Sequence, residues 1–290
     1  MRRDRTGRTG STRSTGRIRS ILRRAMDGGL AAALAGAMVA CGSPSPAAHA
    51  SPARLTIFAA SSLRDPLAQV ATAYRARTGV GLEVSTGASS ALLTQLEQGA
   101  RADVFLAADT ATPTALVTTG LADGPIVPFA GNSLVIAVPS GNPAGIRTAA
   151  DLARPGLRLI AAGAEVPISH YVDAELVLLA RASGMPLDLA ARYAANVVSR
   201  EESARAVLTK IELGEGDAAI VYRTDAEHST SVEVISIPAE AAVPITYAGV
   251  VPLGAPSPAA GHAFLAWLVG PQGAGILGAF GFSPPPSSSP

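Results

Sequence analysis

The chain has 290 residues, 48% of them hydrophobic, with a formal net charge of +1, one cysteine and four histidines. A single cysteine excludes an internal disulfide framework and a cysteine-built metal site. The charge is also uneven. Residues 1–24 hold nine of the arginines, and beyond residue 40 there are 14 basic against 20 acidic side chains, a net charge of −6. That balance argues against a nucleic-acid-binding face. It also means that any anion must be held by local dipoles and not by the overall field.

In chain order, the basic stretch to Arg24 and the small apolar run Gly29 to Ala40 have the plan of a secretory signal. About a dozen apolar residues are fewer than the roughly twenty needed to cross a bilayer. Met38-Val39-Ala40-Cys41 resembles a bacterial lipoprotein cleavage box, with Cys41 as the lipidated first residue. An ordinary signal peptide with an incidental Cys41, or translation starting at Met26, is the alternative. The expected organisation is a signal over 1–40 and a tether over 41–53. Lobe I follows over 54–131 plus 249–283, lobe II over 132–248, and a disordered Pro/Ser tail over 284–290.

Strands and helices then alternate. Leu55–Ala59 is a nearly continuous apolar run, as in a strand buried on both faces. Leu67, Val70, Ala71 and Tyr74 share one helical face after it. Gly81–Ser85 and Asp103–Ala107 are the next strands, each followed by a helix. A second series runs through a strand at 132–138, a strand at 157–161 and helices near 169–183 and 187–194. It continues with Val197-Val198, a helix over 202–213, the strand Ala218–Tyr222, two further strands and two closing helices. This order predicts an α/β protein of two lobes, each a mostly parallel sheet flanked by helices, with crossings near 130–133 and 247–250. Ligands in such folds bind between the lobes, outside the carboxyl ends of strands.

Four short pieces lie at those ends: Ala59–Leu63, Thr86–Ser90, Val166–Tyr171 and Ala219–Asp225. Each serine pair has a plain explanation as a helix N-cap, and Tyr222 one as a half-buried aromatic bonded to backbone. Together they offer hydroxyls and unpartnered backbone N–H groups to one crevice, the donors that an enclosed anion needs. Other chemistry finds little support. There is no Gly-x-Ser-x-Gly nucleophile elbow, and His49, His170, His228 and His262 include no pair at metal-ligand spacing.

In this order the pieces resemble the molybdate-binding proteins of bacterial molybdate ABC importers, which have the type II periplasmic-binding-protein fold. Phe58–Leu63, Ala102–Asp109, Gly131–Val135, Ala219–Ala226 and Gly270–Ala274 carry the resemblance, which runs from about Leu55 to Phe282. It implies that Ser62, Ser89 and Tyr222 bind molybdate or tungstate through their hydroxyls, and Ile168 and Ala204 through backbone N–H groups. Ser61 and Ser90 are the adjacent alternatives. It further implies no cofactor, no free metal cation, no catalysis, and a monomer outside the cytoplasm. A lipid anchor at Cys41 would hold that monomer on the membrane surface, where it would serve a membrane ABC permease.

Three other readings stay open at this point. The bound ion could be sulfate or phosphate. A secreted serine hydrolase would use Ser61 or Ser62 and would need a base beside it. A sensor or adhesin would keep the cleft without a permease.

Overall fold

A computed structural model describes residues 54–182 and 184–286. The expected signal, the tether and Cys41 lie outside the described residues. Among the described residues, no helix is long and apolar enough to cross a membrane.

The first half of the chain alternates strand and helix. β1 (Arg54–Ala60) leads through a 3-10 turn (Ser61–Leu63) into α1 (Arg64–Thr78). Next come β2 (Gly81–Gly87), α2 (Ser89–Glu97), β3 (Val104–Ala107), α3 (Ala111–Thr118) and β4 (Val127–Asn132). β5 (Leu134–Pro139), β6 (Leu159–Ala162), α4 (Pro167–Leu179), α5 (Leu189–Asn196) and β7 (Val197–Glu201) open the second series. It continues with α6 (Ala204–Glu212), β8 (Ala219–Tyr222), α7 (Arg223–Glu227), β9 (Val232–Ser236) and β10 (Ile245–Val250). α8 (Pro258–Leu268) and α9 (Pro271–Ala279) close the fold.

Two sheets result. The first has the order β2-β1-β3-β10-β4. In the second, β8-β5-β9 and the pair β6-β7 are joined by a single parallel bridge from Leu159 to Ala218. The two-lobed α/β class stands, but each sheet is more evenly mixed than expected. β10 runs antiparallel to both β3 and β4, and β5 runs antiparallel to both β8 and β9. A strand that returns from the other sheet meets its neighbours head to tail, so the crossings themselves create the antiparallel pairs.

β4 was not foreseen, because Pro128 argues against a strand. It is tolerated because β4 lies at the sheet edge, and the register shifts where Pro128 faces Ala248. The second crossing also falls earlier than 247–250, since Ile245 already pairs with Asn132 in the first sheet. Ser283 pairs with Gly131, and Pro284 and Pro286 continue alongside. The part of the expected tail that is described is therefore placed against β4. A Cβ on Gly131 would come within 2.7 Å of the Pro284 carbonyl oxygen.

The core follows from these strands. Leu55, Ile57 and Ala59 of β1 are fully buried, as are Val104 to Ala107 of β3. Asp103, also buried, accepts from the backbone N–H groups of Thr56 at 2.8 Å and Ser257 at 2.7 Å. One carboxylate thereby ties β1 to the start of α8, without leaving a lone buried charge unbonded.

Candidate anion-binding site

Strand-to-helix turns from both sheets converge on one small cavity. Ser62 reaches it from the turn after β1, Ser89 from the first residue of α2, Ala204 from the first residue of α6 and Tyr222 from the end of β8. Among the described residues, no lysine or arginine lines it. The cavity volume, about 10 Å³, falls far below the roughly 300–1,000 Å³ of pockets for larger organic ligands.

Local sequence explains each turn. Ala88 and Val166 take extended backbone angles immediately before α2 and α4, and Pro167 occupies the first turn of α4, where its missing N–H costs nothing. Ser203 caps α6 by accepting from Ala206 N–H at 3.2 Å. The first N–H groups of these helices have no carbonyl one turn back. Three N-termini thus present donors and partial positive charge to the same space.

Of the five residues predicted from sequence, Ser62, Ser89, Ala204 and Tyr222 line the cavity. Ile168 does not. Val166 and Pro167 form the wall there, and Ile168 lines a separate groove between α4 and α5. Its backbone N–H stands at the second helical position of α4. Of the adjacent alternatives, Ser61 lines the cavity and Ser90 is not among the lining residues.

Hydrogen bonding sets the polarity of these groups. Ser89 Oγ accepts from the buried Ala108 N–H at 3.1 Å, so its own proton remains to be given. Ser62 Oγ lies 2.9 Å from Tyr247 Oη. Tyr222 is 1% exposed, and its hydroxyl has no hydrogen-bond partner among the described residues. Burial pushes its phenol well above the ordinary range, with Tyr247 beside it adding to the effect, so it stays a neutral donor. A buried unpaired hydroxyl on a cavity wall costs stability.

Sequence reasoning missed Tyr247 and Asn132. Tyr247 sits in an apolar strand run, and Asn132 ends a strand that was not foreseen. Asp225 was missed as well: it is buried behind Ser62 in a second small void that Asp65 and His228 also line.

Comparison with known proteins bears on this geometry. Residues 55–283 match the model of a family described as bacterial extracellular solute-binding protein. The chain is 37% identical over 263 residues to the molybdate-binding protein ModA of Mycobacterium tuberculosis, covering 88% of this chain and 96% of that one. The periplasmic molybdate-binding protein of Azotobacter vinelandii superposes with a TM-score of 0.68 at 25% identity, over 80% of this chain and 99% of that one. The sulfate-binding protein SubI of M. tuberculosis superposes with a TM-score of 0.71 at 22% identity, over 82% and 88%, and shares the fold.

Proposed function

The chain belongs to the bacterial extracellular solute-binding protein family, and from that premise we propose that it captures molybdate or tungstate outside the cytoplasm for an ABC importer. The observation that carries this reading is the buried Tyr222 hydroxyl, unpartnered among the described residues, in a cavity whose described lining holds neither lysine nor arginine. The similarity to proteins named molybdate-binding, at 37% identity over most of the chain, supports the choice of ion.

In this reading the hydroxyls of Ser62, Ser89 and Tyr222 and the N–H groups of Ile168 and Ala204 surround the ion. Bonds from neutral donors to a dianion are charge-assisted, shorter and stronger than neutral ones. No counter-cation has to be stripped of water, and the helix N-termini supply the compensating charge. A cradle of donors favours an ion that carries no proton. Hydrogen phosphate would bring an O–H needing an acceptor, and an unmet buried donor is costly. Sulfate carries no proton but has shorter bonds to oxygen, so donors set for molybdate would reach it poorly.

The protein acts by binding, without catalysis. Ser62 is bonded to a phenol and not to a histidine, and His228 Nδ1 is engaged with the Thr224 carbonyl. Delivery to a membrane permease, a monomeric state and anchoring through Cys41 belong to the same proposal. Mass spectrometry of the membrane-associated protein would detect the lipid.

Thermal melts with molybdate, tungstate, sulfate and phosphate test the function. A ligand at one hundred times its Kd adds about 2.7 kcal/mol of stability. Molybdate and tungstate are expected to raise Tm well above the other two. Equal stabilisation by sulfate would sink the size argument, and no response to any oxyanion would remove the function.

A further inference from the structure

We propose that Tyr247 and Asn132 are positioning residues that make the Ser62 hydroxyl an obligate donor toward the cavity. The inference rests on the oxyanion reading of the site. It concerns which way a proton points, and it follows from a chain of hydrogen bonds whose direction is set at one end.

That end is Asn132. Its Oδ1 accepts from Ser133 N–H at 2.8 Å, which fixes the amide orientation. Nδ2 therefore faces Thr224 Oγ1 at 2.9 Å and Tyr247 Oη at 3.2 Å, and an amide nitrogen can only donate. With its oxygen already accepting from Asn132, the Tyr247 phenol gives its proton to its other partner, Ser62 Oγ, at 2.9 Å. Ser62 Oγ has then accepted, and its own proton is left for the cavity. If Ser62 instead donated to Tyr247, the phenol oxygen would accept twice, and Ser62 would meet an anion with a lone pair.

The placement of the two residues adds to the argument. Asn132 closes β4 at the first crossing between the sheets, and Tyr247 lies on β10 just after the second. Thr224 follows β8 of the other sheet. One amide thus ties both sheets to the orientation of a single ligand-facing hydroxyl. Tyr247 is fully buried against Phe129, Tyr222 and Phe282, so its hydroxyl can be removed while the ring keeps its packing. Burial also pushes the phenol pKa well above the ordinary range, so its proton is always present.

The test is a double-mutant cycle read by calorimetric titration with sodium molybdate. Ser62→Ala and Tyr247→Phe are each expected to weaken binding by roughly tenfold, the scale of a lost or misdirected bond to a charged group. The double variant is expected to match Ser62→Ala alone within about twofold, because Tyr247 acts only through Ser62. Asn132→Ala in place of Tyr247→Phe gives a second cycle with the same expectation, should the tyrosine variant fail to fold. Independent, multiplying losses in the double variant, or wild-type affinity in Tyr247→Phe, would overturn the relay while leaving the oxyanion reading intact. If the wild-type protein gave no response to molybdate, the reading itself would fall, and the relay with it.

Discussion

The rings of Tyr222 and Tyr247 meet edge to face, with centroids 5.7 Å apart and planes crossing at 62°. One tyrosine ends a strand of the second sheet and the other lies in the returning strand of the first. Their hydroxyls have opposite fates. Tyr247 Oη is bonded to both Ser62 and Asn132, whereas Tyr222 Oη is buried without a partner among the described residues.

That contrast predicts an effect of opposite sign on binding and on stability. Tyr222→Phe keeps the ring and removes the unpaired oxygen, so the ligand-free protein is expected to be as stable or up to about 1 kcal/mol more stable. Molybdate binding is expected to weaken by about 1.5–3 kcal/mol, as for a lost bond to a charged group. Thermal melts without ligand and calorimetry with it would separate the two effects. A variant that binds like wild type would remove Tyr222 from the site.

Ser89 should behave differently. Its Oγ supports the buried Ala108 N–H as well as facing the cavity. Ser89→Ala is expected to lose affinity by about 1.5–3 kcal/mol and also to lose about 1–2 kcal/mol of stability without ligand. Unchanged melting of the ligand-free variant would argue that the Ala108 bond contributes nothing.

Backbone donation at Ala204 can be tested by removing the N–H alone. Ala204 is the first residue of α6, where proline is tolerated, and Ser203 before it has φ −157° and ψ 159°, angles compatible with a following proline. Ala204→Pro is expected to change stability by less than about 1 kcal/mol. It should weaken molybdate binding roughly tenfold, the effect of one lost bond to a charged acceptor. Full affinity by calorimetry would take this N–H out of the donor set.

Two buried carboxyls predict the pH dependence of stability. Burial raises Glu175 to about 7 from 4.5, and raises Asp225 to about 7 from 3.8. At Asp225 the nearby Arg205 opposes the shift and Asp65 adds to it. Between about pH 4 and 7 the native state therefore holds more protons than the unfolded chain. Stability is expected to fall as pH rises through that window and to level off above it. Glu175→Gln should be more stable than wild type at pH 8 by roughly 1–3 kcal/mol, with the gap closing toward pH 4. Melting curves that stay parallel from pH 4 to 8 would contradict this assignment.

Much of the fold and site was legible because the signals are local. The unbroken apolar run Leu55–Ala59 reads as a buried strand, and serines directly after it read as a turn into a helix. Tyr222 could be placed at a strand end for the same reason. β4 was not legible, since Pro128 carries the local signal of a break and only the edge position excuses it. Ile168 lines a separate groove and not the cavity, which nothing in its local sequence indicates.

The sequence by itself determined the alternation of strands and helices, the net negative charge beyond residue 40, and the hydroxyls at strand ends. These depend on periodicity and composition within a few residues. Only the tertiary structure decided which hydroxyls are paired with one another and which is left free among the described residues. Ser62 and Tyr247 are 185 positions apart, and they meet because β10 returns from the second sheet to pair with β3 and β4. The direction of a hydrogen bond belongs to the pair of groups and their other partners, so it exists only once distant segments have been brought together.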